Sequence, residues 1–427
     1  MKEHSRMDLS RRTFLKGAAA LAAAPAIIPA SALGREGRAS PSERIVMAGL
    51  GIGGRGTHDL NRLMHFDDVQ FVAIADPRQD NRERVKKLIE NKYGKGCEAY
   101  IDFREMLPRE DIDAIVTATG DRWHSLAAFH AMKAGKDVFS EKPCSMSIAE
   151  GRAMADASRR YARVYQAGTQ RRSEENFVFV LELARRGLLG KIHTITAHIM
   201  ARMSKHQWLP EQERVAREEF DWDLYMGPTP WRPYNRGYRG WHWHVDLHGG
   251  GIPEWGSHTI DMAQWANDSD PSGPVEYEYP NNDTAEGMVA RYANGVKLVL
   301  KGGNVFPGSC GIRVEGSEGW AECSDGQPTT FHPESIGGLR DKVLGEYQER
   351  TGRPFDHWRD FVDCVKLRRQ TVAPCETAHR SVSACHVGNI CMWLRRNVKW
   401  DPAKEEFVGD EEANRMRYRP MRAPWHV

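Results

Sequence analysis

The sequence predicts an α/β domain with a doubly wound parallel sheet, followed by an α+β domain with a large, mainly antiparallel open sheet. Three observations carry this expectation. Short apolar runs alternate strictly with helical patterns up to residue 167, the order that right-handed βαβ crossovers produce. Beyond residue 168 the runs instead alternate polar with apolar residues around turn sequences, as half-exposed antiparallel strands do. The 427 residues, 40% of them hydrophobic, are enough for two cores.

In the first part, strands are expected over 44–49, 69–75, 113–118, 137–140 and 163–167. Helices fall between them, over 58–64, 80–91, 124–134 and 149–161, with Gly135 closing the third. In the second part, a helix over 174–186 ends at Gly187 and residues 191–200 alternate like a half-exposed strand. Residues 202–250 are irregular and crowded with Trp, Tyr, Arg, Pro and His. Asn294-Gly295 between alternating runs over 288–301 signals a hairpin. Two more strands are expected around Gly316-Ser317-Glu318-Gly319. Helices over 355–369 and 376–396 flank Pro374. The expected domains are therefore 41–167 and 168–427.

Residues 1–40 read as an address. Ser10-Arg11-Arg12-Thr13-Phe14-Leu15-Lys16 matches the twin-arginine export pattern, an apolar stretch runs from Gly17 to Ile28, and Ala30-Ser31-Ala32 offers a small-x-small cleavage site. The apolar run is shorter than the roughly 20 residues a bilayer span needs, so no membrane association is expected after cleavage. The expected destination is the periplasm or another exported location. A route that carries folded proteins suits one that loads its cofactor before export. Eight scattered cysteines form no CxxC pair or disulfide framework and are expected to be buried thiols. With 60 Lys+Arg against 58 Asp+Glu, the charge balance gives no footprint for nucleic acid.

Gly49-Leu50-Gly51-Ile52-Gly53-Gly54 is a GxGxxG set between an expected strand and an expected helix. That context makes it a dinucleotide-binding Rossmann turn. The glycines permit a tight turn and close approach, so the pyrophosphate sits on Gly49, Gly51, Ile52, Gly53 and Gly54 at a helix N-terminus. Asp76 ends the second strand about 20 residues further on, the spacing of a carboxylate that takes the ribose hydroxyls and repels a 2′-phosphate. This favours NAD over NADP. Arg78 is a nearby group that could pair with such a phosphate.

Glu141-Lys142-Pro143 follows the fifth strand, at the carboxyl edge where open α/β sheets bind ligands. With this tripeptide the chain resembles the glucose–fructose oxidoreductase/inositol dehydrogenase (Gfo/Idh/MocA) family along its whole mature length. Thr117-Ala118-Thr119 with His124 resembles the family's Ala-Thr-Pro-x-x-x-His turn, with Gly120 in place of proline. Gly249-Gly250-Gly251-Ile252-Pro253-Glu254-Trp255-Gly256-Ser257-His258-Thr259-Ile260-Asp261 resembles its Gly-Gly…Asp-x-Gly-x-His-x-x-Asp motif. Glu254 stands where the family has Asp, one methylene longer.

The resemblance implies a nicotinamide-dependent oxidoreductase acting on CH–OH groups. His258 would take the proton of a sugar hydroxyl, Lys142 would stabilise the developing charge on its oxygen, and Glu254 would complete the catalytic set. Thr119, His124, Glu141 and Lys142 would join the glycine turn in holding the cofactor. Helical spacing puts Glu254, His258 and Asp261 on one face, where they could orient the imidazole. The stretch 230–234 resembles a family loop lining the sugar pocket. Arg171, Arg172, Tyr234, Trp241 and Asp261 are the expected substrate-facing residues. A homo-oligomer is implied too, since family members commonly associate through the open sheet.

One other constellation competes. His242, His244, Asp246 and His248 alternate at strand spacing and could share one side as metal ligands. The family has no general need of a metal, so none is expected. Among functions, the leading expectation is a sugar or glycoside oxidoreductase with a tightly held cofactor. The alternative is an NAD-dependent glycosidase that oxidises a ring carbon transiently and eliminates the aglycone. A non-catalytic binding protein on the same fold would need a damaged site, yet Lys142 and His258 are both present.

Overall fold

Six strands form the first sheet: β1 (Ile45–Leu50), β2 (Val69–Ala75), β3 (Glu98–Tyr100), β4 (Ala114–Thr117), β5 (Asp137–Ser140) and β6 (Tyr165–Ala167). The computed structural model describes residues 40–201 and 207–426, so the twin-arginine segment lies outside the described residues. The strand order is β3-β2-β1-β4-β5-β6, with every neighbouring pair parallel. Helices α1 (Gly54–Met64), α2 (Gln79–Tyr93), α3 (Asp121–Lys133) and α4 (Ile148–Arg160) connect the strands. β4 is buried at every residue, which explains why it reads as a continuous apolar run rather than an alternating one. The strand order reverses between β1 and β4, and a doubly wound sheet binds its ligand at such a switch point. β3 has no signal in the sequence, because its three residues, Glu98-Ala99-Tyr100, carry no apolar run.

The second sheet has nine strands. They are β7 (Ile192–His198), β8 (Glu276–Glu278), β9 (Val289–Arg291), β10 (Lys297–Lys301), β11 (Ile312–Gly316), β12 (Trp320–Cys323), β13 (Thr330–His332), β14 (Val398–Asp401) and β15 (Glu406–Phe407). Their order is β13-β12-β11-β7-β10-β9-β8-β14-β15. β7 and β10 pair in parallel and the other pairs are antiparallel. The Asn294-Gly295 turn does join an antiparallel pair, with Gly295 at φ 88°, where glycine carries no steric penalty. One face of the sheet, including Ile195, Ala197, Leu298, Leu300, Ile312 and Val314, packs against α5 (Glu175–Arg185) and α6 (Gly251–Ala266).

Two C-terminal helices pack on the cores, and the second of them joins both. α7 (His357–Leu367) buries Phe361, Val362, Cys364 and Val365 with Met47, Phe71 and Phe139 of the first sheet. α8 (Cys375–Leu394) places Cys375, Ala378 and Val382 in the first core and Cys385, Val387 and Ile390 in the second. The chain from Ile45 onward accordingly forms one unit. Its cleft is fixed by side chains far apart in sequence. All eight cysteines are buried free thiols.

Candidate active site

The glycine turn has the geometry its sequence requires. Gly51 lies at φ +69°, and a Cβ there would fall 2.5–2.7 Å from Thr119 atoms. A Cβ on Gly53 or Gly54 would meet no protein atom within 4 Å, so both face open space. A cavity of about 320 Å³ lies over them, bounded also by Asp76, Arg78 and Thr119. Thr119 Oγ1 and Arg122 Nη1 are buried with no hydrogen-bond partner, so two polar groups await a ligand on its wall. Glycine cradle and orphaned groups together fit a dinucleotide.

Asp76 stands at the end of β2 and is 5% exposed. Its Oδ2 accepts from the Ile52 amide (3.0 Å) and Asn81 Nδ2 (3.2 Å), and its Oδ1 accepts from the Arg78 amide (2.9 Å). Burial raises its pKa against those hydrogen bonds. The carboxylate therefore fastens the glycine turn to β2 and also borders the cavity. The Arg78 side chain pairs with Asp80.

A second cavity, of about 340 Å³, adjoins the first and shares Arg55, Ala118, Thr119, Trp241 and His242 with it. Lys142, from the loop after β5, reaches into it. Its Nζ lies 2.8 Å from Glu254 Oε1 and 3.1 Å from the Glu254 carbonyl oxygen. Glu254 Oε2 lies 3.0 Å from His248 Nε2, and Asp121 Oδ2 stands 3.8 Å behind that nitrogen. Burial opposes the Lys142 ammonium, but Glu254 and Glu141 outweigh it and hold its pKa above the ordinary lysine value. Burial likewise opposes ionisation of Glu254, and His248 and Lys142 overcome it, so this carboxyl stays far below its usual range.

His258 lies one turn beyond Glu254 on α6 and borders the same cavity. Arg171 Nη1 stands 3.2 Å from its Nε2, while Asp325 holds the other side of that guanidinium at 2.9 Å and 2.5 Å. Burial first, then the Arg171, Lys142 and Arg55 charges, push the imidazole well below its ordinary pKa. His258 is therefore neutral, with a lone pair to accept a proton.

Other expected residues behave differently. His124 bridges loops, its two ring nitrogens each 2.8 Å from a carbonyl oxygen, of Pro143 and of Thr119. Glu141 is buried and accepts from Arg55 Nε (2.8 Å), Gln170 Nε2 (3.0 Å) and the Lys142 amide (3.1 Å), which braces the loop that carries Lys142. Of the five substrate-facing expectations, Arg171 and Trp241 border the second cavity. Arg172 and Asp261 do not: they form a buried bidentate pair at 2.6 Å and 2.8 Å, with Asp270 and Ser381 completing it. Tyr234 is packed in a cluster with Phe220, Trp222 and Tyr238. Nor do Glu254 and Asp261 orient His258, because each is engaged elsewhere.

The four-residue metal constellation does not form. Residues Trp241–Trp243 make a 3-10 turn, and the His248 amide bonds the His244 carbonyl, so no strand alternation exists. Asp246 pairs with Arg232, and the His244 ring packs on Tyr238. The described residues instead bring ligand-type atoms of Asp121, His248 and Glu254 within 4.8 Å of one another, with the Lys142 ammonium as the cation beside them. The sequence did not single out Asp121 or Arg122, since only the fold turns the start of α3 toward both cavities.

A parallel sheet in this order, a glycine turn under a cleft at the switch point and an open-sheet domain beside it define a Rossmann-type nucleotide-binding architecture joined to an open-sheet domain. The chain belongs to the Gfo/Idh/MocA oxidoreductase family. Residues 43–169 match its NAD-binding Rossmann fold and 180–427 its C-terminal alpha/beta domain, and residues 8–27 match the twin-arginine translocation signal. The chain is 26% identical over 239 residues to an alpha-N-acetylgalactosaminidase of Shewanella oneidensis, covering 51% of this chain and 50% of that one. It is 31% identical over 147 residues to the myo-inositol 2-dehydrogenase of Thermotoga maritima, covering 34% and 42%. The chain thus spans about half the length of the curated relatives it matches. A solved aldose-aldose oxidoreductase from Caulobacter crescentus shares the fold at TM-score 0.56 and 16% identity, over 83% of this chain and 99% of that one. Among the described residues, no helix is long and apolar enough to cross a membrane.

Proposed function

We propose that the protein is exported to the periplasm and transfers hydride between a sugar or glycoside CH–OH carbon and a tightly held nicotinamide, NAD in preference to NADP. The observation that carries this reading is the convergence of Lys142 and His258 on one cavity that adjoins the nucleotide cavity. The glycine turn would hold the pyrophosphate, and Asp76 would favour NAD by repelling a 2′-phosphate. Nicotinamide, when bound, supplies the carbon that takes and returns the hydride. Neutral His258 accepts the hydroxyl proton. The Lys142 ammonium donates to the same oxygen as charge develops there. Trp241 and Trp255 line the same cavity and supply aromatic surface of the kind that packs on sugar rings.

Mass spectrometry of gently purified protein, followed by a sugar panel read as reduction of the bound nicotinamide, tests the reading. Bound cofactor reduced by at least one sugar supports it. A loaded protein that no sugar reduces, and whose reduced form no keto-sugar reoxidises, defeats it.

A second reading draws on the similarity to an alpha-N-acetylgalactosaminidase. Transient oxidation of a ring carbon followed by aglycone elimination would regenerate the cofactor in each cycle, which suits a place without a free nicotinamide pool. NAD-dependent release from nitrophenyl glycosides would favour it over net oxidoreduction.

A further inference from the structure

Among the described residues, each arginine or lysine on the wall of the second cavity is already matched by a protein carboxylate. These cations are Arg55, Lys142 and Arg171. Arg55 Nε lies 2.8 Å from Glu141 Oε1, and Lys142 Nζ lies 2.8 Å from Glu254 Oε1. Burial and the charge of Glu141 push the neighbouring Asp59 carboxyl up to about 8, so Glu141 is the anion that Arg55 faces at neutral pH. Asp121 adds a further carboxylate to the wall and accepts from the Gly249 amide at 2.9 Å. Burial opposes a charge on His248 behind it, but Glu254 and Asp121 outweigh burial and raise its pKa, so charge is balanced there too.

The Arg171 pair joins the two sheets. Arg171 follows β6 and Asp325 follows β12. Nε and Nη2 of the guanidinium reach the two Asp325 oxygens at 2.9 Å and 2.5 Å, a bidentate pair. Ser309 Oγ donates to the same carboxylate at 2.6 Å, and the Asp325 amide bonds the Ser309 carbonyl at 2.9 Å, so the loop before β11 fixes its aim. Arg171 Nη1 faces His258 Nε2 at 3.2 Å and Gln170 Oε1 at 3.5 Å. A sugar hydroxyl needs one such N–H and leaves the ion pairs standing. A carboxylate or phosphate needs a cation of its own. Bringing one in without it, among Asp121, Glu141 and Glu254, costs desolvation and like-charge repulsion.

We infer that the cavity takes uncharged sugars or glycosides and turns away uronates and sugar phosphates, and that Asp325 sets this choice by occupying Arg171. The inference rests on the reading of this cavity as the sugar site. Asp325 is a positioning residue that acts through the guanidinium on the cavity wall. With Asn at 325 the carboxylate charge is gone and one edge of the guanidinium loses its acceptor. Arg171 then becomes a cation with two parallel N–H groups to offer, the geometry that an acidic sugar's carboxylate takes.

The test sets matched pairs against the full-length protein with NAD added: glucose with glucuronate, galactose with galacturonate, and the methyl glycosides of each. Binding is read by calorimetry and turnover by nucleotide reduction. In wild type the uncharged member of a pair is expected to bind at least about tenfold more tightly than its uronate, the scale of one hydrogen bond to a charged group. In Asp325→Asn the ratio of uronate to uncharged affinity should rise roughly 10- to 100-fold, a switch that simple loosening of the loop would not produce. The wild-type comparison decides the matter by itself should the variant fail to fold. A uronate bound by wild type as tightly as its uncharged partner overturns the inference, as does a ratio unmoved in folded Asp325→Asn or binding of no member of the panel. Reduction of the nucleotide by uronates alone defeats the uncharged-sugar inference and leaves the oxidoreductase reading standing. Preferred binding of uncharged sugars with no reduction by any of them defeats that reading and leaves the selectivity in place.

Discussion

Lys142 Nζ and Glu254 Oε1 lie 2.8 Å apart, one from the loop after β5 and the other from the first turn of α6. The ion pair joins the two sheets' domains across the cleft. His248 occupies the other oxygen of the same carboxylate, which leaves Glu254 as the anion that keeps its lysine charged rather than as a base. In Glu254→Gln the lysine keeps its burial but loses its nearest anion, so its pKa falls. Because the ammonium is the form that donates, the basic limb of kcat/KM should move to lower pH, and the neutral-pH rate should fall roughly 10- to 100-fold. A pH–rate profile of Glu254→Gln with an unmoved basic limb would refute the coupling.

The neighbour of His258 sets a second limb. His258 must be neutral to accept a proton, and burial together with Arg171 keeps it so well below its ordinary pKa. Activity should therefore persist toward acid further than a free imidazole allows. Arg171→Met removes one depressing charge and raises that pKa, moving the acid limb to higher pH. Burial, the larger cause, remains, so the limb should still lie below that of an exposed histidine. The measurement is kcat/KM against pH, and a shift toward acid contradicts the assignment.

Lys142→Met and His258→Asn should each lower kcat by about 10²–10⁴-fold, the range for a lost general base or oxyanion partner. Bound nucleotide should be retained in both. Single-turnover reduction of nicotinamide loaded onto the protein reads the chemical step directly, and wild-type rates in either variant would remove that residue from the mechanism.

Gly51→Ala should weaken nucleotide binding at least about tenfold, because the added methyl meets Thr119 and the residue must hold a positive φ. Gly53→Ala places its methyl in open cleft, so the protein should melt as wild type while its nucleotide affinity drops. Thermal melting with and without NAD separates these outcomes.

Asp261→Ala leaves the Arg172 guanidinium buried with Asp270 alone. Breaking such a pair should cost about 3–5 kcal/mol, measured by urea denaturation. If Asp261 instead touched substrate, stability would hold and KM would rise.

Much of the first domain was legible because its signals are local. The glycine turn, the apolar β1, β2 and β4 runs, and Asp76 at its spacing each declare themselves within a few residues. The second sheet was legible where turn chemistry marks it, as at Asn294-Gly295, and not at β13, β14 and β15, which are two to four residues long. Residues 242–248 misled because alternation in sequence implies one face only if the backbone is extended, and here it turns.

The sequence by itself determined the alternation that builds the parallel sheet, the flexible turn under the cleft and which residue types are present to do chemistry. Tertiary structure alone decided their partners. It turned Arg172 and Asp261 toward each other, buried Tyr234 among aromatics, and brought Asp121, His248 and Lys142 around Glu254. The physical reason is that spacing along a helix fixes only which side a residue occupies. What waits on that side is set by helices such as α7, which packs on the first core, and α8, which packs on both, each arriving from more than 100 residues away along the chain.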